Sequence, residues 1–124
     1  MLIQGAPGSG KSELALMLID RGARLIADDQ SRVWRDGGLL LVAPPTTIAG
    51  LIEVRNLGLK PMEYISHIPA ALVVTLDPAA PRWIENADLT EINGIALPHV
   101  RLFPDTPALA IKVEMALRDH GLKV

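Results

Sequence analysis

The sequence of 124 residues contains no cysteine, which excludes a disulfide framework and any thiolate metal site. It holds only four aromatic residues, Trp34, Trp83, Tyr64 and Phe103, so Leu, Ile, Val and Ala must fill the core and stacking platforms for bases are scarce. A net charge of −2, with basic residues scattered along the chain, supplies no field for a polyanion and argues against nucleic acid as a partner. No apolar stretch of membrane-spanning length and no secretory leader is visible, so the expectation is a cytoplasmic protein without a membrane partner. The hydrophobic fraction of 49% is enough for one continuous core, and residues 1–124 read as a single domain.

Against these absences stands one strong motif. Gly5-Ala6-Pro7-Gly8-Ser9-Gly10-Lys11-Ser12 fits G-x-x-x-x-G-K-[ST], follows the apolar Met1-Leu2-Ile3, and opens the helical pattern Glu13-Leu14-Ala15-Leu16-Met17-Leu18-Ile19. That is the pattern of a phosphate-binding P-loop. Its glycines let the backbone fold tightly enough to aim several N–H groups at one phosphate chain, and the following helix adds its partial positive end. Lys11 is placed to reach the terminal phosphates of a nucleotide, and the Ser12 hydroxyl to ligate the accompanying Mg²⁺.

The first helix is expected over Gly10–Arg21 with Gly22 as its stop. A short strand, Leu25-Ile26-Ala27, then runs into Asp28-Asp29. Val33-Trp34-Arg35, Asp36-Gly37-Gly38 and Leu39-Leu40-Leu41-Val42 read as a hairpin, and Leu51–Arg55 as a strand before the turn-prone Asn56-Leu57-Gly58. The run Ala70–Asp77 is apolar and β-branched, as for a strand at the centre of a sheet. Residues 78–105 read as short strands or loops. A final helix is expected with Thr106 as its cap and Pro107 at its first position, ending at Gly121. The expected whole is an α/β, P-loop-containing kinase fold with a mixed, hairpin-rich sheet and two main helices. The strand before the loop is very short and needs neighbours to hold it.

Phosphoryl transfer requires a held phosphate chain, an in-line acceptor and often a carboxylate that takes the acceptor's proton. Asp28 and Asp29 are candidates, with an Asp-Asp turn initiator as the alternative. Glu53 and Arg55, spaced i, i+2 on one strand face, read as site residues or as an exposed ion pair. Asp77 is a second contender for the metal or a turn cap ahead of Pro78. His67, His99 and His120 have no ligand spacing and are read as surface or core residues.

Three segments resemble the catalytic domain of bacterial HPr kinase/phosphorylase, in the short form typical of alphaproteobacteria. These are the loop from Gly5 to Leu16, Arg21-Gly22-Ala23-Arg24-Leu25-Ile26-Ala27-Asp28-Asp29, and Leu51-Ile52-Glu53-Val54-Arg55-Asn56-Leu57-Gly58-Leu59. In that family the loop is followed by R-G-x-R-L-x-A-D-D and then by a signature close to L-x-E-[IV]-R-G-L-G-[IL]. The resemblance is strong over residues 2–60 and weak beyond. It implies transfer of phosphate from ATP to a serine of the phosphocarrier protein HPr, reversal with inorganic phosphate, and a role in regulating the phosphotransferase system. By position it assigns the catalytic carboxylate to Asp28, its neighbour to Asp29, a Mg²⁺-associated glutamate to Glu53 and the signature arginine to Arg55.

The sequence departs from the family pattern in three places. Asn56 stands where the signature has glycine, and the turn survives if Asn56 takes positive φ. The histidine that the family carries in a strand ahead of the loop has no counterpart, and Lys60-Pro61-Met62-Glu63-Tyr64 does not reproduce the glycine-rich loop after the signature. Longer relatives assemble as hexamers through a chain with an additional domain, so homo-oligomerisation stays open. Two other readings compete: a non-catalytic ATP or phosphate sensor of the same fold, and a small-molecule kinase, for which residues 78–105 offer only Arg82 and Arg101 as lid arginines.

Overall fold

Short β-branched segments separated by glycine turns dictate strands, and two amphipathic stretches dictate helices. The computed structural model, which describes residues 1–124, has in chain order β1 (Leu2–Gly5), α1 (Lys11–Asp20), β2 (Arg32–Asp36), β3 (Leu39–Ala43), β4 (Leu51–Val54), β5 (Gly58–Pro61), β6 (Ile68–Pro69), β7 (Val73–Leu76), β8 (Asp88–Ile92), β9 (Ile95–Leu102) and α2 (Leu109–His120). They form two compact units, Met1–Lys11 with Ala70–Val124, and Ser12–Pro69. The architecture is α/β with mixed strand pairing and two helices. Neither helix is long and apolar enough to cross a membrane.

The first unit is built on a four-stranded sheet in the order β1-β7-β9-β8. β1 and β9 flank β7 in parallel, and β8 closes the edge antiparallel to β9. β7 is thus the interior strand expected from its apolar run, and it supplies the neighbour that the short β1 needs: Leu2 pairs with Val73 and Gly5 with Leu76. Leu72, Val73, Val74 and Leu97 are fully buried, together with Val113 of α2. Burying a side chain of this size contributes roughly 1.5–3 kcal/mol.

Residues 78–105 hold more order than their prolines and polar segments suggest. β8 and β9 form a hairpin, and β9, with eight residues, is the longest strand. Its turn is Asn93-Gly94, both at positive φ (49° and 81°), the geometry that lets two residues reverse a twisted ribbon. The helix start also shifts. Thr106 Oγ1 accepts the N–H of Ala108 (3.3 Å) and the Thr106 carbonyl that of Leu109 (3.2 Å). Thr106-Pro107-Ala108 is therefore a tight turn ahead of the helix, and Ala108 occupies the cap position.

The second unit contains α1 from Ser12 onward, a three-stranded sheet in the order β2-β3-β6 and the separate β4–β5 hairpin. The expected β2–β3 hairpin is present, with Val33 opposite Val42. α1 ends as its sequence requires: Gly22 sits at φ 104°, Gly22 N–H donates to Ile19 O and Ala23 N–H to Leu18 O, the two bonds of a Schellman stop. No strand forms over Leu25–Ala27. Only Leu25 makes a bridge, to Tyr64, with the Ile65 N–H on the Leu25 carbonyl at 2.8 Å. Ile26 and Ala27 have no strand beside them, so the chain bends into Asp28-Asp29 instead of extending.

Candidate active site

In the first unit the segment after β1 closes on itself. Ser9 N–H donates to the Ala6 carbonyl at 3.0 Å, and Gly8 and Gly10 take φ of 78° and 95°, conformations that any Cβ would strain. Gly5 leaves room for a neighbour: a Cβ there would lie 2.5 Å from Ser9 Oγ, so that hydroxyl would have to rotate away. The Lys11 ammonium donates to Gly5 O at 2.7 Å and to Ala6 O at 3.3 Å. The backbone N–H groups of Gly8 and Gly10 make no backbone bond, and those of the first turn of α1 have no intrahelical partner. Ala6, Pro7 and Gly8 are exposed. A loop of free N–H groups, one cation and a helix start can bind an anion.

The second unit gathers the predicted carboxylate signals around Asp28. Ser12 Oγ donates to Asp28 Oδ1 at 2.7 Å, and the Glu53 N–H donates to Asp28 Oδ2 at 2.8 Å. Asp28 is half-buried and has both oxygens engaged; Asp29, at the same bend, is exposed. Two bonds from two elements fix the plane of the Asp28 carboxylate and leave a lone pair on each oxygen for a proton or a cation. That arrangement is more than an Asp-Asp turn requires.

The structure engages Glu53 through its main chain, while its side chain is exposed. Arg55 lies past the end of β4, is exposed, and makes no ion pair with Glu53. β4 pairs with β5 across a turn in which Asn56 has φ 75° and Gly58 φ 94°; asparagine tolerates this conformation better than any other residue but glycine. Asp77 caps its own turn, Oδ1 accepting the Ala79 N–H at 2.8 Å, with the Ala80 N–H on the Asp77 carbonyl at 3.0 Å. The Glu53 N–H was invisible to any reading of side-chain types, because every residue but proline carries one.

Of the histidines, His67 stacks edge-on to Trp34. His99 Nε2 bonds Thr75 Oγ1 at 2.7 Å, and Thr75 Oγ1 reaches Gln4 Oε1 at 3.3 Å. Burial, followed by the positive charge of Arg101, lowers the His99 pKa, with Asp88 opposing.

An α/β domain with mixed strand pairing, two helices and a glycine loop leading into the first of them is a familiar build for nucleotide-handling enzymes. The particular family follows from comparison. Residues 1–65 match the HPr Serine kinase C-terminal domain family, and the chain belongs to that family. It is 52% identical over 137 aligned residues to the HPr kinase/phosphorylase of Enterococcus faecalis, covering 99% of this chain and 44% of that protein. The HPr kinase/phosphorylase of Limosilactobacillus reuteri is 34% identical over 134 residues, covering 97% and 42%. Among solved structures, the HPr(Ser) kinase/phosphatase from Coxiella burnetii superposes with a TM-score of 0.82 at 26% identity, over 94% of this chain and 79% of that one. The chain spans less than half the length of the two sequence relatives.

Proposed function

We propose that residues 1–124 form the single catalytic domain of a cytoplasmic, ATP- and Mg²⁺-dependent protein-serine kinase/phosphorylase whose acceptor is an HPr-type phosphocarrier. The observation that carries this reading is the Ser12–Asp28–Glu53 arrangement, a hydroxyl and a main-chain N–H holding one carboxylate by both oxygens. The residues suit the ligands. Free N–H groups and Lys11 match a phosphate chain. Ser12 and Glu53 are hard oxygen donors, few in number as Mg²⁺ bound beside phosphates prefers; no three His, Cys, Asp or Glu side chains converge as a dedicated metal cage. When bound, Mg²⁺ neutralises charge on the phosphates.

In this reading Lys11 exchanges the Gly5 and Ala6 carbonyls for phosphate oxygens, and the amides of Gly5–Ser12 orient the chain. Ser12 supplies a metal-binding oxygen, and Asp28 accepts the proton of the attacking serine. Glu53 positions Asp28 through its N–H and lends its carboxylate to the metal, while Arg55 and Asp29 complete the charge pattern of the site. The reverse reaction uses inorganic phosphate. Incubation of the protein with ATP, Mg²⁺ and HPr, followed by mass spectrometry of HPr, should show the gain of one phosphate. No gain, with ATP binding intact by calorimetry, would instead favour the nucleotide-sensor reading, which the engagement of Lys11 by its own loop also accommodates.

A further inference from the structure

The glycine loop has groups for phosphate and none for a base. From Gly5 to Ser12 it offers main-chain N–H groups, hydroxyls and the Lys11 ammonium, and no residue with a π-face. Stacking of a base needs an aromatic ring from elsewhere, and the chain has four. Trp34 is engaged with His67, and the Tyr64 ring lies 3.0 Å from where a Cβ on Gly50 would sit; both belong to the Ser12–Pro69 unit. Trp83 and Phe103 belong to the other unit, with the loop as far as Lys11. They are 70% and 48% exposed and have no ring partner.

Topology separates these two. β1, β7 and β9 are parallel and end level: Gly5 stands opposite Leu76, and Leu76 opposite Leu102. The loop after β1 and the segment after β9 therefore leave the sheet at the same end, the end at which open α/β sheets bind ligands. Phe103 is the first residue beyond β9. The Asp77 N–H donates to the Leu102 carbonyl at 2.9 Å, and Pro104 restricts Phe103 to extended backbone, so the ring projects from a fixed point. With neighbouring strands about 4.8 Å apart, the end of β9 stands about 10 Å from Gly5, two strands away. A ribose and one phosphate bridge a gap of that order. Trp83 lies in the middle of the segment between β7 and β8, where no ladder fixes its distance to the loop.

We propose that Phe103 is the platform on which the adenine ring of the bound nucleotide stacks. The proposal rests on the phosphate-site reading above and supplies the part of the ligand that the loop does not hold. Phe103 covers its exposed face with the base, so the nucleotide binds more tightly than its phosphate chain alone.

Calorimetry with two probes, Mg²⁺-ATP and Mg²⁺-pyrophosphate, separates the platform from the phosphate site. Phe103→Ala should weaken Mg²⁺-ATP by about tenfold or more, the scale of one lost stacking contact, and leave Mg²⁺-pyrophosphate unchanged. Phe103→Leu keeps apolar bulk without the ring and should show the same selective loss, which also decides the matter if the alanine variant does not fold. Phe103→Trp should restore the affinity, and Trp83→Ala should change neither probe. Unchanged ATP affinity without the ring overturns the proposal. An equal loss for both probes also overturns it, by making Phe103 a support of the loop, as does a selective ATP loss in Trp83→Ala with none at Phe103. A wild type that binds neither probe overturns the phosphate-site reading and the platform with it, whereas a wild type that binds pyrophosphate leaves that reading standing whatever Phe103 does.

Discussion

The four-stranded sheet and the Ser12–Pro69 unit are held together by different means. In the sheet, β7 has a partner on each side, and its residues Val73 and Val74, with Leu72 just ahead of it, are fully buried; position follows from backbone ladders and apolar packing. In the other unit, the bend that carries Asp28 has no ladder beyond the Leu25–Tyr64 bridge, and the β4–β5 hairpin leaves Leu57 and Leu59 about two-thirds exposed. Asp28 is placed there by hydrogen bonds from Ser12 and from the Glu53 backbone. A scaffold built by burial tolerates polar change poorly and carries no chemistry. A bend held by polar contacts keeps a carboxylate oriented yet reachable, which is where reactive groups are commonly found.

The contrast predicts a ranked series of effects. Leu72→Ala, in the buried sheet, should cost about 2–5 kcal/mol of stability in denaturant unfolding. A cost below 1 kcal/mol would show that burial does not hold the sheet. Asp28→Asn should leave the fold and Mg²⁺-ATP binding nearly intact while lowering transfer to HPr by roughly 10²-fold or more, about 2.7 kcal/mol of barrier. Near wild-type transfer would remove Asp28 as the proton acceptor and return it to a turn-forming role, since Asn makes similar side-chain-to-backbone bonds.

A smaller effect concerns pH. Because burial and Arg101 depress the His99 pKa below its ordinary 6.5, the unfolded chain binds this proton more readily than the folded one. The contribution of neutral His99 is complete above about 6.5 and is lost as pH falls from there through the folded value. Unfolding curves from pH 8 to 5 should therefore show a steeper loss in wild type than in His99→Gln, and identical slopes would contradict it. The smallest effect is expected at Leu59→Ser, within about 0.5 kcal/mol by the same unfolding assay. A loss like that of Leu72→Ala would mean that the hairpin face is covered in solution.

Much of this was legible from residue order. The glycine loop, the α1 stop at Gly22, the β2–β3 hairpin and the interior β7 all rest on local chemistry: positive-φ glycines, period-3.6 and period-2 patterns, and an uninterrupted apolar run. The β8–β9 hairpin was legible too, in Asn93-Gly94, but Pro98 and the polar residues around it masked the signal. The Leu25–Ala27 strand failed for the opposite reason. Its residues suit a strand, but a strand exists only where another lies beside it, and only Tyr64 does.

By itself the sequence determined which residues carry charge, which backbone positions bend, and that a glycine loop leads into a helix, because those are properties of neighbours in the chain. Only the tertiary structure decided that Asp28, not Asp29, is the clasped carboxylate, that Glu53 contributes its N–H, that Asp77 caps a turn, and that Lys11 turns back onto the carbonyls of its own loop. These depend on distances between groups as far as 25 positions apart in the chain. A hydrogen bond selects its partners by ångströms, and no pattern of residue types contains that information.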